Sequence, residues 1–298
     1  MRRAAAVGID VGGTKLLMLA DDGDGQGPGG SAGVEVVQRV ETGPLTTPAE
    51  VEAAIAAFLT QFGIEPTALG IAVPGLVENG RVVVSDVLPQ LAGWGGPEGY
   101  RVSPLLVNDI RGALAQETAS LPRSATAAVV VCGTAVGSAY LAEGRVIRGA
   151  RGWAGEIGSL PMATPGGVSR LDELAGGAAI VRAAGMSPES VHAALADGDR
   201  QVRTVVRAAG EAFGLALASL INVLNPDTVR VAGGTLGYHG YWDAALTTAQ
   251  VHALPELWSA CTVARIEGRE RDRLVARGAA RLAMAMGDGR QEWARQYL

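Results

Sequence analysis

Along the first third of the chain, apolar residues come in short blocks separated by glycine joints. Val7–Val11 and Leu16–Ala20 have the length of buried strands, and Gly12-Gly13-Thr14-Lys15 joins them as a hairpin turn. Val34–Val40 reads as a third strand, and Thr47–Phe62 as a helix opened by Thr-Pro-Ala-Glu, with Pro early and Glu in the first turn. Leu69–Val73 is another buried strand, ending in Pro74-Gly75-Leu76-Val77. Three strands, a helix and a strand make a mixed α/β unit. Arg81–Ser85 reads as a short strand, and Leu88–Tyr100, which holds Trp94, as an irregular loop. Leu105–Val107 is a brief strand running into Asn108-Asp109, and Ile110–Ser120 is a helix.

The pattern then repeats. Ala127–Cys132 is a strand, Gly133-Thr134-Ala135-Val136-Gly137 a turn, Ser138–Leu141 a second strand and Arg145–Arg148 a third. This is the signature of an internal duplication. Two half-molecules, each offering a glycine hairpin, would clamp a nucleotide between them. Gly149–Ser159 and Pro161–Ser169 read as loops. Leu171–Ala184, Val191–Ala196 and Gln201–Leu224 read as helices, the last apolar enough from Ala212 on to be buried. Thr228–Ala232 is a strand followed by Gly233-Gly234-Thr235-Leu236-Gly237, a joint suited to close approach of a ligand. Val263–Arg265 reads as a final strand and Leu274–Met286 as a helix. The tail Gln291–Leu298 is polar and reads as frayed, and Asp21–Gly33 as a mobile glycine-rich connection.

Composition narrows the partners. The 298 residues carry a net charge of −5 and no basic run, which argues against a nucleic-acid or anionic-membrane surface and for a small-molecule partner. At 48% hydrophobic residues the chain can build a sizeable core. No apolar segment reads as a membrane span, and the start runs directly into the first strand, so a cytoplasmic protein is expected. Cys132 and Cys261 are too few and too far apart for a disulfide framework or a zinc cluster, and read as core thiols.

The first hairpin is also the first candidate site. Glycines let backbone N–H groups approach a phosphate, Thr14 adds a donor, and Lys15, the only lysine in the sequence, adds a compact positive charge. Asp10 would repel a phosphate unless a metal ion lay between them, so the stretch suggests a Mg-nucleotide. An ordinary buried hairpin is the competing reading. Asn108 and Asp109 stand where a strand ends and a helix begins, which is where open α/β sheets bind ligands. A simple N-cap is the alternative role for the carboxylate.

Taken together, the motifs resemble the ROK family of bacterial sugar kinases and repressors, within the actin-like ATPase superfamily. They are Asp10-x-Gly-Gly-Thr-Lys15, Val73-Pro74-Gly75, Asn108-Asp109, Gly133-Thr134-x-x-Gly137, Gly149 to Gly158 with Glu156, and Asn225-Pro226 followed by Ala232-Gly233-Gly234, in that order. The resemblance implies an α/β fold of two actin-like (ribonuclease H-like) ATPase domains, each with a mixed sheet, and a cleft between them. The first domain would run over 1–109, completed by a C-terminal helix at about 287–298, and the second over 110–286. The implied reaction is transfer of the γ-phosphate of ATP to a hexose hydroxyl, usually O6, with Asp109 as general base. Asn108 and Glu156 would bind other hydroxyls, beside Pro74 and Gly75. Asp10, Gly12, Gly13, Thr14 and Lys15 would surround the phosphates and Mg²⁺. Gly133, Thr134 and Gly137 would form a second phosphate turn, with Gly233 and Gly234 near the adenosine.

The departures from the family pattern bear on substrate. Family members carry His after Glu-x-Gly, and then a Cys-rich zinc motif closing on Glu. Here the His position is Ser159 and Pro161–Leu171 holds no Cys, so no structural zinc is expected. The closing acid aligns with Asp172, with Glu173 as its rival. By the resemblance Ser159 and Asp172 face the sugar, and both are smaller than the usual residues. A reshaped pocket around the sugar's C1 and C2 is therefore expected, which leaves a glucose-like sugar and an amino hexose such as kanosamine both open. The acids Asp109, Glu156 and Asp172 would favour an ammonium-bearing sugar by charge, although they also serve neutral sugars. The resemblance further implies a homodimer. An inactive sugar sensor is the competing class, and a DNA-binding repressor is disfavoured because few residues precede Asp10.

Overall fold

The computed structural model describes residues 3–21 and 35–298; the connection expected over Asp21–Gly33 falls almost wholly outside the described residues. The chain packs as two units. One runs to Ser120 and resumes over Asp272–Leu298, and the other is Leu121–Arg271.

In the first unit, strands β1 (Arg3–Val11), β2 (Lys15–Asp21) and β3 (Glu35–Glu41) form an antiparallel meander. Helix α1 (Pro48–Gln61) follows, and β4 (Ile64–Val73) returns parallel to β1. Thr47 caps α1 in a reciprocal box with Glu50, as the Thr-Pro-Ala-Glu opening predicts. β5 (Leu76–Glu78) and β6 (Arg81–Val84) make a side hairpin, and β7 (Leu105–Asn108) joins parallel to β4. The sheet order is β3-β2-β1-β4-β7. Helix α2 (Asp109–Thr118) leaves the end of β7.

The second unit repeats this plan. β8 (Ala127–Cys132), β9 (Val136–Ala142) and β10 (Arg145–Ile147) form the meander. β11 (Pro161–Thr164) pairs with β12 (Gly167–Arg170), and α3 (Asp172–Ala175), α4 (Gly177–Ala184), α5 (Pro188–Ala196) and α6 (Arg200–Leu224) follow. β13 (Thr228–Ala232) lies parallel to β8, then come α7 (Tyr241–His252), α8 (Pro255–Ala260) and β14 (Thr262–Arg265), parallel to β13. The order β10-β9-β8-β13-β14 matches that of the first sheet, strand for strand. α6 is long and apolar enough to cross a membrane by composition, but it lays Phe213, Leu217 and Ile221 fully into the core of its own unit.

Helices α9 (Gly268–Gly287) and α10 (Gln291–Arg295) close the chain. α9 lies directly on the first sheet: a Cβ at Gly8 would stand 2.0 Å from the Ala276 carbonyl oxygen, and one at Gly70 2.0 Å from that of Ala279. It meets α2 as closely, a Cβ at Gly278 falling 1.8 Å from the Gly112 carbonyl oxygen. These approaches lie within the first compact unit. α2 belongs to the first unit, and the return begins at Asp272.

Three local expectations are corrected. Pro161–Ser169 is a hairpin rather than a loop, because its pairing comes from backbone register and not from apolar alternation. Leu171–Ala184 is broken at Gly176 into two helices, Gly176 fitting close under the Thr134 carbonyl. The tail is not frayed: Tyr297 is 1% exposed and its hydroxyl pairs with Thr118 Oγ1 at 2.9 Å.

Candidate active site

The first unit gathers its candidate residues at the ends of β1, β4 and β7. Asp10 lies at the end of β1, and its partner across the β4 strand is Ala72, two residues before Pro74. The turn after it is tied down: the Gly12 N–H donates to the Lys15 carbonyl at 2.9 Å, and Thr42 Oγ1 donates to the Gly12 carbonyl at 2.6 Å. Thr42 also donates its N–H to the Thr14 carbonyl. Thr42 was not foreseen, since only pairing between β2 and β3 brings it to the turn. Neither Gly12 nor Gly13 has a positive φ; a Cβ at Gly12 would stand 2.9 Å from the Lys15 carbonyl oxygen, and one at Gly13 2.3 Å from Val87. Thr14 and Lys15 are exposed and available to a ligand.

Asn108 is the N-cap of α2, its Oδ1 accepting from the Ile110 and Arg111 N–H groups at 3.1 Å each. Its Nδ2 donates both to the Gly75 carbonyl at 2.9 Å and to Asp109 Oδ1 at 3.0 Å. Gly75 takes a φ of +102°, with its missing Cβ 2.2 Å from the Val84 carbonyl oxygen, so the Pro74-Gly75 corner can reach Asn108. Asp109 Oδ1 also accepts the Ile110 N–H at 2.9 Å. The cap role therefore falls to Asn108, and Asp109 is the first helical residue, oriented by two donors.

Asp10 and Asp109 are electrically coupled. Burial pushes the Asp10 carboxyl up from 3.8 to about 7; the Asp109 charge adds to this, and Lys15 opposes it. Its carboxylate is a hard oxygen donor of the kind that binds hard cations. Among the described residues no cluster of three or more His, Cys, Asp or Glu side chains gathers. A cation at Asp10 would thus draw most of its ligands from phosphate oxygens and water, the habit of Mg²⁺.

The second unit holds the remaining candidates in two linked groups. Gly133 and Thr134, in the turn between β8 and β9, accept N–H donors from the start of α4: Gly177 to the Gly133 carbonyl at 2.8 Å and Ala178 to that of Thr134 at 3.1 Å. Thr235 Oγ1 donates to the Gly133 carbonyl at 2.7 Å. Gly233 has a φ of +125° and no room for a Cβ, which would meet the Cys132 carbonyl oxygen at 2.0 Å. So Gly133, Thr134, Gly233 and Gly234 are brought together, while Gly137 sits within β9, opposite Val131. A hollow of about 400 Å³ opens beside Gly233, lined among others by Tyr238, Trp242, Asp243, Arg265 and Arg271. Beneath, Cys132 Sγ lies 3.1 Å from the Tyr241 hydroxyl, and burial pushes this thiol to about 12, a core role as expected.

The other group contains Glu156, Ser159 and Asp172. Glu156 precedes a 3-10 turn, Ile157–Ser159, and is exposed. Burial holds the Tyr140 hydroxyl above its ordinary pKa; the Ser138 hydrogen bond opposes this, and the Glu156 charge adds a smaller upward push. Asp172 Oδ1 accepts the Val136 N–H at 2.6 Å, so it braces the strand that follows the glycine turn. Its rival Glu173 is exposed and accepts the Arg170 N–H at 3.0 Å. The Arg170 side chain donates from Nη2 to Ser159 Oγ at 2.5 Å.

Residues 6–286 match the ROK family model, and the chain belongs to the ROK family. Over 113 residues it is 33% identical to the bifunctional enzyme NanE/NanK of Brucella melitensis, a match covering 36% of this chain and 22% of that protein. The chain thus matches about a fifth of the length of that curated relative. Among solved structures it is similar to a ROK hexokinase from Thermus thermophilus, with TM-score 0.72 and 25% identity over 96% of this chain and 99% of that one. It has the same fold as a ROK family glucokinase from Streptomyces griseus solved with glucose and AMPPNP, with TM-score 0.73 and 21% identity over 94% and 99% of the two chains.

Proposed function

We propose that this chain is a cytoplasmic, homodimeric ATP-dependent sugar kinase that transfers the γ-phosphate of ATP to a hexose hydroxyl, O6 in the first instance. The observation that carries the reading is the Asp109 carboxylate, oriented by the Asn108 amide and the Ile110 N–H beside Asp10 and the Gly12–Lys15 turn. Phosphoryl transfer asks little covalent chemistry of a protein. It asks for a base aimed at the nucleophile and for positive charge around the phosphates.

Asp109 takes the proton from the attacking hydroxyl. Asn108 helps to orient the carboxylate through its Nδ2 hydrogen bond. Lys15 and Thr14 hold phosphate oxygens. Asp10 would hold Mg²⁺, which when bound neutralises charge on the phosphates. In the second unit the turn at Gly133 and Thr134 and the joint at Gly233 and Gly234 serve the nucleotide, with Glu156 on the sugar. The acceptor is a glucose-like hexose or an amino hexose.

The test is ATP consumption with Mg²⁺ against glucose, mannose, glucosamine, kanosamine, N-acetylglucosamine and N-acetylmannosamine, with the product identified by phosphorus NMR. One sugar phosphorylated on O6 is the expected outcome. A sugar that binds and is never phosphorylated would make the chain a sensor.

A further inference from the structure

The Arg170 guanidinium has Ser159 Oγ as its only hydrogen-bond partner among the described residues, and no carboxylate pairs with it. Ser159 and Arg170 come together because β12 folds back on β11: Arg170 pairs with Pro161, and the Leu171 N–H donates to the Leu160 carbonyl at 2.9 Å. Leu171 is fully buried and fixes the end of that strand. Arg170 is therefore a charged side chain at a defined place, two residues from Asp172 and against the serine that follows Glu156-Ile157-Gly158.

A guanidinium carries five N–H donors and no acceptor, and one donor is used on Ser159. That same bond occupies a lone pair of Ser159 Oγ, which leaves its O–H to donate outward. Asp172, the acid that would have drawn an ammonium group, already gives Oδ1 to the Val136 N–H. Glu173 gives Oε2 to the Arg170 N–H. Beside Ser159 a ligand meets this cationic donor fork and a hydroxyl donor, while Glu156, exposed three residues earlier, is the acceptor of the same site. Such a donor pair suits a carbonyl or carboxylate oxygen.

The geometry points to Arg170 as a specificity-determining residue of the acceptor site, selecting a hexose that bears an acyl carbonyl or a carboxylate. This rests on the reading of Glu156 and Ser159 as sugar-facing, and it narrows the amino-hexose class to its N-acylated members, with uronic acids as the other source of the same chemistry.

The experiment compares kcat/KM for N-acetylmannosamine, N-acetylglucosamine, glucuronic acid, glucosamine and glucose in the wild type, Arg170→Ala and Arg170→Lys. Loss of a charged hydrogen bond makes the expected fall in the ratio of acylated sugar to glucose about tenfold or more in Arg170→Ala, through KM, with partial recovery in Arg170→Lys. Preference for glucuronic acid would identify the carboxylate as the group recognised, and preference for an N-acetyl sugar the amide. A ratio unchanged in Arg170→Ala, or a wild type that prefers glucosamine to its N-acetyl form, overturns the proposal and leaves Arg170 a brace for the hairpin. If no sugar consumes ATP, the kinase reading fails. Calorimetric affinities for the same sugars then judge Arg170 by the same ratio.

Discussion

Asn108 does two jobs with one amide: its oxygen caps α2 and its nitrogen holds the Asp109 carboxylate at 3.0 Å. Backbone stability and chemistry are joined in that side chain. Asn108→Ala is expected to cost about 1 kcal/mol of unfolding free energy, as lost caps do, and to lower kcat by more than it raises KM. Urea unfolding gives the first quantity and steady-state kinetics the second. Full activity in a destabilised variant would separate the two jobs and remove the orienting role.

Metal-free stability should record the Asp10 carboxyl. Its value in the folded chain lies near 7 against 3.8 unfolded, so between those limits the folded chain holds a proton that the unfolded chain has released. Stability from this group is then fully present below about 3.8 and is lost as pH rises toward 7. Asp10→Asn, which cannot ionise, is expected to melt above the wild type at pH 8 in chelator while losing Mg²⁺-dependent turnover. Equal or lower melting of the variant at pH 8 would show that the carboxylate is not under strain there.

The close seat of α9 on the first sheet depends on Gly8 and Gly70. Gly70→Ala places a methyl group 2.0 Å from the Ala279 carbonyl oxygen, and something must shift. Overpacking of this kind costs about 1–3 kcal/mol. Denaturant midpoints of Gly70→Ala and of Gly43→Ala, where nothing lies within 4 Å, provide the comparison. Equal midpoints would mean that the helix sits less tightly than described.

The sequence shows the fold where chemistry repeats in the chain. Val7–Val11 and Ala127–Cys132, each followed by a glycine turn and a second strand, announce the duplicated meander that the two sheets share. The strand-end position of Asn108-Asp109 is equally legible. Which of the two is the cap is not, because both residue types cap helices and only geometry assigns the donors. Arg170 could not be found from sequence. Its approach to Ser159 depends on a hairpin whose apolar residues do not alternate, and whose Val168 is 73% exposed. The tail misleads for a similar reason: it reads as polar, yet its one tyrosine reaches Thr118.

Asp109 is proposed to remove the hydroxyl proton as the phosphoryl group is transferred. The most direct measurement is turnover and calorimetric sugar affinity of Asp109→Asn beside the wild type, using whichever sugar the wild type phosphorylates. A carboxamide keeps the size and the hydrogen bond to the helix start but cannot take the proton. The account predicts sugar affinity within a few-fold of wild type and kcat reduced by more than about a hundredfold, the ordinary worth of a general base. Turnover retained above about a hundredth of wild type would contradict it and move the base elsewhere.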